Sequence, residues 1–170
     1  MKKMLVLDID GTLTNSKKEI TDKTLNAILD IQEMGHIVVL ASGRPTPGMK
    51  KIAEKLKLNV YGGYVLSYNG AKIINSGNNE VVYQKVLDPI MIPKLYEYAL
   101  EHKMGLVTYE TDCVITGTPI DKWMEFEAKI NGLEIKYIDN FVQYIDFPVN
   151  KCLLTAEGHL AEVATKELSD

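Results

Sequence analysis

Apolar positions along the chain fall into two patterns, short unbroken runs and helical spacing, and the two alternate. Met4 to Leu7 is an unbroken run, which predicts a parallel strand covered on both faces. A polar loop follows. Thr21 stands where a helix N-cap belongs, Leu25, Ile28, Leu29 and Met34 recur at helical spacing, and Gly35 falls where such a helix should stop. "IVVLA" (Ile37 to Ala41) predicts a second buried strand and runs into the Gly/Pro loop "SGRPTPG". Met49, Ile52, Ala53 and Leu56 mark a second helix. "YVLS" (Tyr64 to Ser67) predicts a third strand, closed by the turn pair Asn69-Gly70. Lys72 to Ile74 and Glu80 to Val86 flank "NSGNN", a hairpin turn. Strand-helix-strand-helix-strand is the pattern of an α/β fold with a Rossmann-like, doubly wound, mostly parallel sheet.

Beyond about Leu87 the texture changes. Asp88-Pro89 opens a helix carrying Ile92, Leu95, Tyr96 and Ala99. The strand-like pieces "GLVTYE" and "CVITG" come next, then a helix from about Ile120 to Ile130. "EIKYI" and "NKCLLTA" predict further strands, and "GHLAEVATKELSD" a closing helix. This divides the chain into residues 1–84 and an α+β unit over residues 85–170.

Composition narrows the function without naming it. Of 170 residues, 46% are hydrophobic, enough for real cores. A net charge of -4 argues against a general nucleic-acid binder, which needs a basic face. The apolar run after "MKK" is broken by Asp8, so no signal peptide is read, and no run is long enough to span a membrane. The expectation is a cytoplasmic protein. Cys113 and Cys152 lie far apart with no second ligand at metal spacing, so no zinc site is expected; two free buried thiols are the first reading and a disulfide the second.

In an open parallel sheet, ligands gather at the carboxyl ends of the strands. Asp8 and Asp10 follow the first strand, Ser42, Gly43 and Arg44 the second, Asn69 and Gly70 the third. One rim therefore collects two carboxylates, a hydroxyl, a glycine amide and a side-chain amide. Those groups suit phosphoryl transfer. A carboxylate can attack phosphorus, and a second acid can protonate the leaving oxygen and later activate water. Attacking group and phosphate are both anionic, so a divalent cation must bridge them, and Mg²⁺ suits oxygen ligands. Gly11 lets the backbone turn sharply, and Ser42 with the Gly43 amide can donate to phosphate oxygens.

"DIDGTLT" resembles the first motif of the haloacid dehalogenase-like hydrolases. "VVLASGRP" resembles their second motif in its Cof-type sugar-phosphatase form, and "LSYNGA" the stretch that follows in that branch. The resemblance implies a Mg²⁺-dependent phosphatase with a core and an α+β cap, acting on a small-molecule phosphate ester. It implies Asp8 as nucleophile and metal ligand. It implies Asp10 as acid/base, giving its carbonyl to the metal. Ser42 is then the phosphate binder, with Thr12, Gly43, Arg44 and Asn69 beside it. The family's third-motif lysine and its "GDxxND" stretch are not found in these 170 residues; Lys72 and Lys151 stand in no matching context. The expectation is thus an incomplete core and cap, reduced turnover, and a first strand left open on one side, an edge that invites a homodimer.

Simpler readings stand beside these. The two acids can be an acidic loop, Ser42 a cap with Arg44 a solvated charge, and Asn69-Gly70 only a turn. His36, His102 and His159 read as surface or boundary residues without partners, Trp123 and Phe126 as cap packing or as aromatics facing substrate, and Lys50, Lys51, Lys55 and Lys57 as a solvated helix face. Other functions share the residues: a phosphomutase, and a non-catalytic remnant that binds metal or phosphate or nothing; a phosphoacceptor signalling domain stands further off, because such domains place their acid pair adjacent and not spaced as "DID".

Overall fold

The computed structural model describes residues 1–169. The chain divides into two compact units, with the break between Lys85 and Val86. The first holds β1 (Met4–Asp8), α1 (Asp22–Glu33), β2 (Ile37–Ala41), α2 (Thr46–Lys55), α3 (Leu58–Tyr61), β3 (Tyr64–Ser67), a 3-10 turn (Tyr68–Gly70), β4 (Lys72–Asn75) and β5 (Val81–Gln84). Its sheet has the order β1-β2-β3-β4-β5. The first three strands are parallel, with Val6 opposite Val39 and Leu40 opposite Val65. The hairpin returns antiparallel, so the sheet is mixed.

Local chemistry sets the elements. Thr21 caps α1, its side chain accepting from the Thr24 amide, and Gly35 follows the helix at φ +84°, where a residue with a β-carbon is strained. Ile28 of α1 and Met49 of α2 reach the core made by Ile9, Leu13, Val38, Leu40, Leu56, Leu58 and Val65. Each such side chain, buried in full, stabilises by about 1.5–3 kcal/mol before entropy is counted. The four lysines of the second helical region are exposed. α2 stops at Lys55 with Leu56 as its C-cap; Lys57 then steps into the left-handed region, and α3 adds a separate turn that buries Leu58.

One expectation is corrected. The β1 strand is present, but it is not covered on both faces. Within the described residues its only neighbour is β2, and Met4 and Val6 are 59% and 54% exposed. Among the described residues β1 is thus an edge strand, as the sequence leads one to expect.

The second unit holds α4 (Met91–Glu101), β6 (Gly105–Glu110), β7 (Cys113–Thr116), α5 (Lys122–Asn131), β8 (Glu134–Tyr137), α6 (Phe141–Tyr144), β9 (Leu153–Thr155) and α7 (Gly158–Glu167). Its sheet runs β8-β7-β6-β9, with β7 and β8 parallel and the other pairs antiparallel. Its core gathers Ile92, Ala99, Leu106, Ile115, Phe141, Val149 and Ala164.

Trp123 and Phe126 do not pack in the core of this unit, although packing is one of the two readings the sequence offers. The buried stripe of α5 is Met124, Ala128 and Asn131, and the two aromatics lie off it, exposed. Nor do all the histidines lack partners. The His36 ring accepts from the Lys3 amide, and His102 stacks on Tyr98 with ring centroids 4.0 Å apart. Cys113 and Cys152 are free thiols, half-buried and not fully buried. No helix among the described residues is long and apolar enough to cross a membrane.

Candidate active site

Because β1, β2 and β3 are parallel neighbours, their carboxyl ends share one edge of the sheet. Asp8 ends β1. Ile9 is fully buried, and it pins the loop so that the acids on either side of it face outward and are exposed. The chain then turns back on itself. The Leu13 amide donates to the Asp8 carbonyl at 3.0 Å, and the Thr14 amide and hydroxyl donate to the Ile9 carbonyl at 3.0 and 2.9 Å. Gly11 sits at φ +87° in this turn, a conformation that disfavours any side chain. Thr12 is exposed on the same loop.

The loops after β2 and β3 are joined through their backbones. The Ser42 amide donates to the Leu66 carbonyl at 2.9 Å, the Asn69 amide to the Ser42 carbonyl at 3.1 Å and the Tyr68 amide to the Arg44 carbonyl at 2.9 Å. Below them, the hydroxyls of Thr46 and buried Ser67 are 2.7 Å apart. Tyr68, Asn69 and Gly70 are left-handed in succession, at φ 53°, 58° and 87°. Tyrosine is an outlier there, and such strain persists only where the surroundings impose it. The Asn69 side chain lies close against Gly43: a β-carbon on Gly43 would stand 2.7 Å from Asn69 Oδ1. The serine hydroxyl of this loop accepts from the Arg44 amide at 3.2 Å. Ser42 is therefore a turn-stabilising residue as well as a phosphate-binding candidate; the N-cap of α2 is Pro45.

Arg44 turns its guanidinium to Asp10. Nε donates to Oδ2 at 2.9 Å and Nη2 to Oδ1 at 2.8 Å. Lys18 Nζ adds a contact to Oδ1 at 2.9 Å. The hydrogen bond from Arg44 is the main reason the Asp10 carboxyl is lowered to about 2. Partial burial pushes the other way, and Lys18 lowers it further. Lys18 was not foreseen. It is placed by its own left-handed backbone and by Asn15, whose side chain accepts from the amides of Lys17 and Glu19. No spacing rule signals that arrangement.

No cluster of three or more His, Cys, Asp or Glu side chains suited to a metal is found among the described residues. The Asp8 carboxylate and the Asp10 carbonyl are nonetheless hard oxygen donors on one short turn. Mg²⁺ commonly takes one or two protein carboxylates and fills its shell with waters and substrate phosphate, so the donor set fits it in kind.

Comparison with known proteins bears on the whole chain. A family model described as haloacid dehalogenase-like hydrolase matches residues 5–170. The chain is 30% identical over 161 residues to YxeH of Bacillus subtilis (strain 168), an alignment covering 88% of this chain and 60% of YxeH. It is 31% identical over 139 residues to the 5-amino-6-(5-phospho-D-ribitylamino)uracil phosphatase YcsE of the same organism, covering 79% of this chain and 54% of YcsE. Among solved structures, a haloacid dehalogenase-like hydrolase from Bacteroides thetaiotaomicron superposes with a TM-score of 0.94 at 40% identity, covering 99% of this chain and 63% of that one. The chain thus spans about 60% of the length of such relatives.

Proposed function

We propose that this chain, which belongs to the haloacid dehalogenase-like hydrolase family, carries the nucleophile and phosphate loops of a Mg²⁺-dependent phosphatase for small phosphorylated metabolites, sugar phosphates first among them. The observation that carries the reading is the convergence of Asp8, Asp10, Ser42, Gly43 and Asn69 on one end of three parallel strands. The phosphorylated ribityl chain named for YcsE supports the substrate class.

Asp8 attacks phosphorus and the bond to the leaving oxygen breaks; Asp10, which Arg44 and Lys18 hold as a carboxylate in the free site, must take up a proton as substrate binds in order to give it to that oxygen. Water then attacks the aspartyl phosphate while Asp10 takes its proton. Thr12, Ser42, the Gly43 amide and Asn69 orient the phosphoryl group. The Asp8 carboxylate and the Asp10 carbonyl would hold Mg²⁺, which when bound offsets the charge shared by nucleophile and phosphate. The family's lysine and "GDxxND" acids are not in these 170 residues, and electrostatic contributions of that kind are usually the largest. Turnover by this chain is therefore expected to be slow. Incubated with hexose and pentose phosphates and Mg²⁺, it should release inorganic phosphate above the protein-free rate and stop when EDTA is added. No release from any substrate of such a panel would refute the reading.

The edge of β1 supports a second part of the proposal, a homodimer. The exposed apolar side chains of Met4, Leu5 and Val6 lie on a strand with an open edge, which is a template for another strand. Light scattering at high concentration should report a dimer that Val6→Lys returns to monomer. A monomer at every concentration would exclude it.

A further inference from the structure

We infer that Arg44 is a positioning residue for Asp10, setting the direction of its carboxylate for proton transfer, and not a binder of the phosphoryl group. The inference rests on the aspartyl-phosphate reading above and goes beyond it.

The contact has two points, Nε to Oδ2 and Nη2 to Oδ1. A planar fork on a planar carboxylate fixes both the rotation and the plane of the acid, which one ammonium cannot do. The fork is itself held. The Arg44 side chain is only 14% exposed, its amide donates to Ser42 Oγ, and its carbonyl accepts from the Tyr68 amide. The loops after β2 and β3 thus hold the arginine that aims the acid following β1. Lys18, 61% exposed and touching one oxygen, supplies charge but little direction. Each carboxylate oxygen can accept more than one hydrogen bond, so the fork does not exhaust the capacity of Asp10 to take a proton.

In the step concerned, a water oxygen bonds to phosphorus and the water's proton passes to an Asp10 oxygen. The bond between phosphorus and the Asp8 oxygen breaks, its electron pair returning to the Asp8 carboxylate. Inorganic phosphate leaves, and Asp10 later gives its proton to solvent. Misdirecting Asp10 slows this breakdown.

The test uses 2,4-dinitrophenyl phosphate, whose leaving phenolate needs no proton. During turnover the fraction of chain phosphorylated on Asp8 is read by acid quench and intact mass. Arg44→Met should lower turnover by about 10- to 100-fold, raise the phosphorylated fraction, and leave affinity for inorganic phosphate within about twofold. Arg44→Lys, which keeps the charge without the fork, should recover less than half of the loss on a logarithmic scale. A fall in the phosphorylated fraction, a tenfold loss of phosphate affinity or full recovery by Arg44→Lys would overturn the assignment. If the chain turns over nothing, the proposed function fails by itself. A cycle of melting temperatures with Arg44→Met and Asp10→Ala still decides the contact. The double variant should melt with Asp10→Ala, and additive losses would show that the pair does not form.

Discussion

Asp8→Asn should reduce Mg²⁺-dependent phosphate release to the protein-free rate, a loss of at least about a thousandfold where nucleophilic catalysis carries the reaction. The reason is chemical. An amide oxygen is a poor nucleophile toward phosphorus, and the stable acyl phosphate cannot form on it. The substitution is also clean. Asp8 is exposed at the end of β1, so an isosteric neutral residue should leave the melting temperature nearly unchanged, as surface substitutions usually do. Its effect on binding has the opposite sign to its effect on turnover. Removing a carboxylate that faces an anion should keep or raise the affinity for inorganic phosphate. Activity lost with binding kept identifies a nucleophile. Activity and binding lost together would indicate damage to the loop, and activity retained would refute the aspartyl-phosphate mechanism.

How far the sequence discloses this depends on what each residue does. The parallel strands are legible because continuous apolar runs bounded by turn residues, such as Ile37 to Ala41, suit a strand covered on both faces, and β2 is buried along most of its length. The rim is legible for the same reason: strand direction alone puts Asp8, Ser42 and Asn69 on one edge. What residue type cannot give is direction. An arginine beside a phosphate loop invites assignment to phosphate, yet the head of Arg44 meets a carboxylate 34 positions away. Only the packing of three loops fixes that. The exposure of β1 follows from topology, since an apolar run says nothing about how many neighbours it has. Trp123 and Phe126 lie off the stripe that the helical period buries, which is Met124 and Ala128. The short helices α3 and α6 are four residues each, too short to show a period.

One of these short helices should matter most for stability. Phe141 opens α6 and is 1% exposed. Its ring stacks on Tyr96 with centroids 5.4 Å apart, and the Tyr96 hydroxyl donates to the Gly117 carbonyl at 3.1 Å. A β-carbon on Gly117 would collide with the Phe141 side chain, so the ring-bearing residue is seated directly on the backbone after β7. Truncation to alanine removes a phenyl group from a site whose walls are strand and helix, and such a site relaxes little. Phe141→Ala should therefore cost about 3–5 kcal/mol, within the range for buried phenylalanine and a large share of the stability of an ordinary domain. Phe141→Leu keeps most of the volume and should cost under about 1.5 kcal/mol plus the lost ring stacking. Urea unfolding followed by the fluorescence of Trp123, the chain's one tryptophan and a member of the same unit, measures both. The midpoint should fall in that order with the urea dependence unchanged, because the surface exposed on unfolding is nearly the same. A loss below about 1 kcal/mol for Phe141→Ala would mean that α6 is not docked on the sheet, and the core of the second unit would have to be redrawn without it.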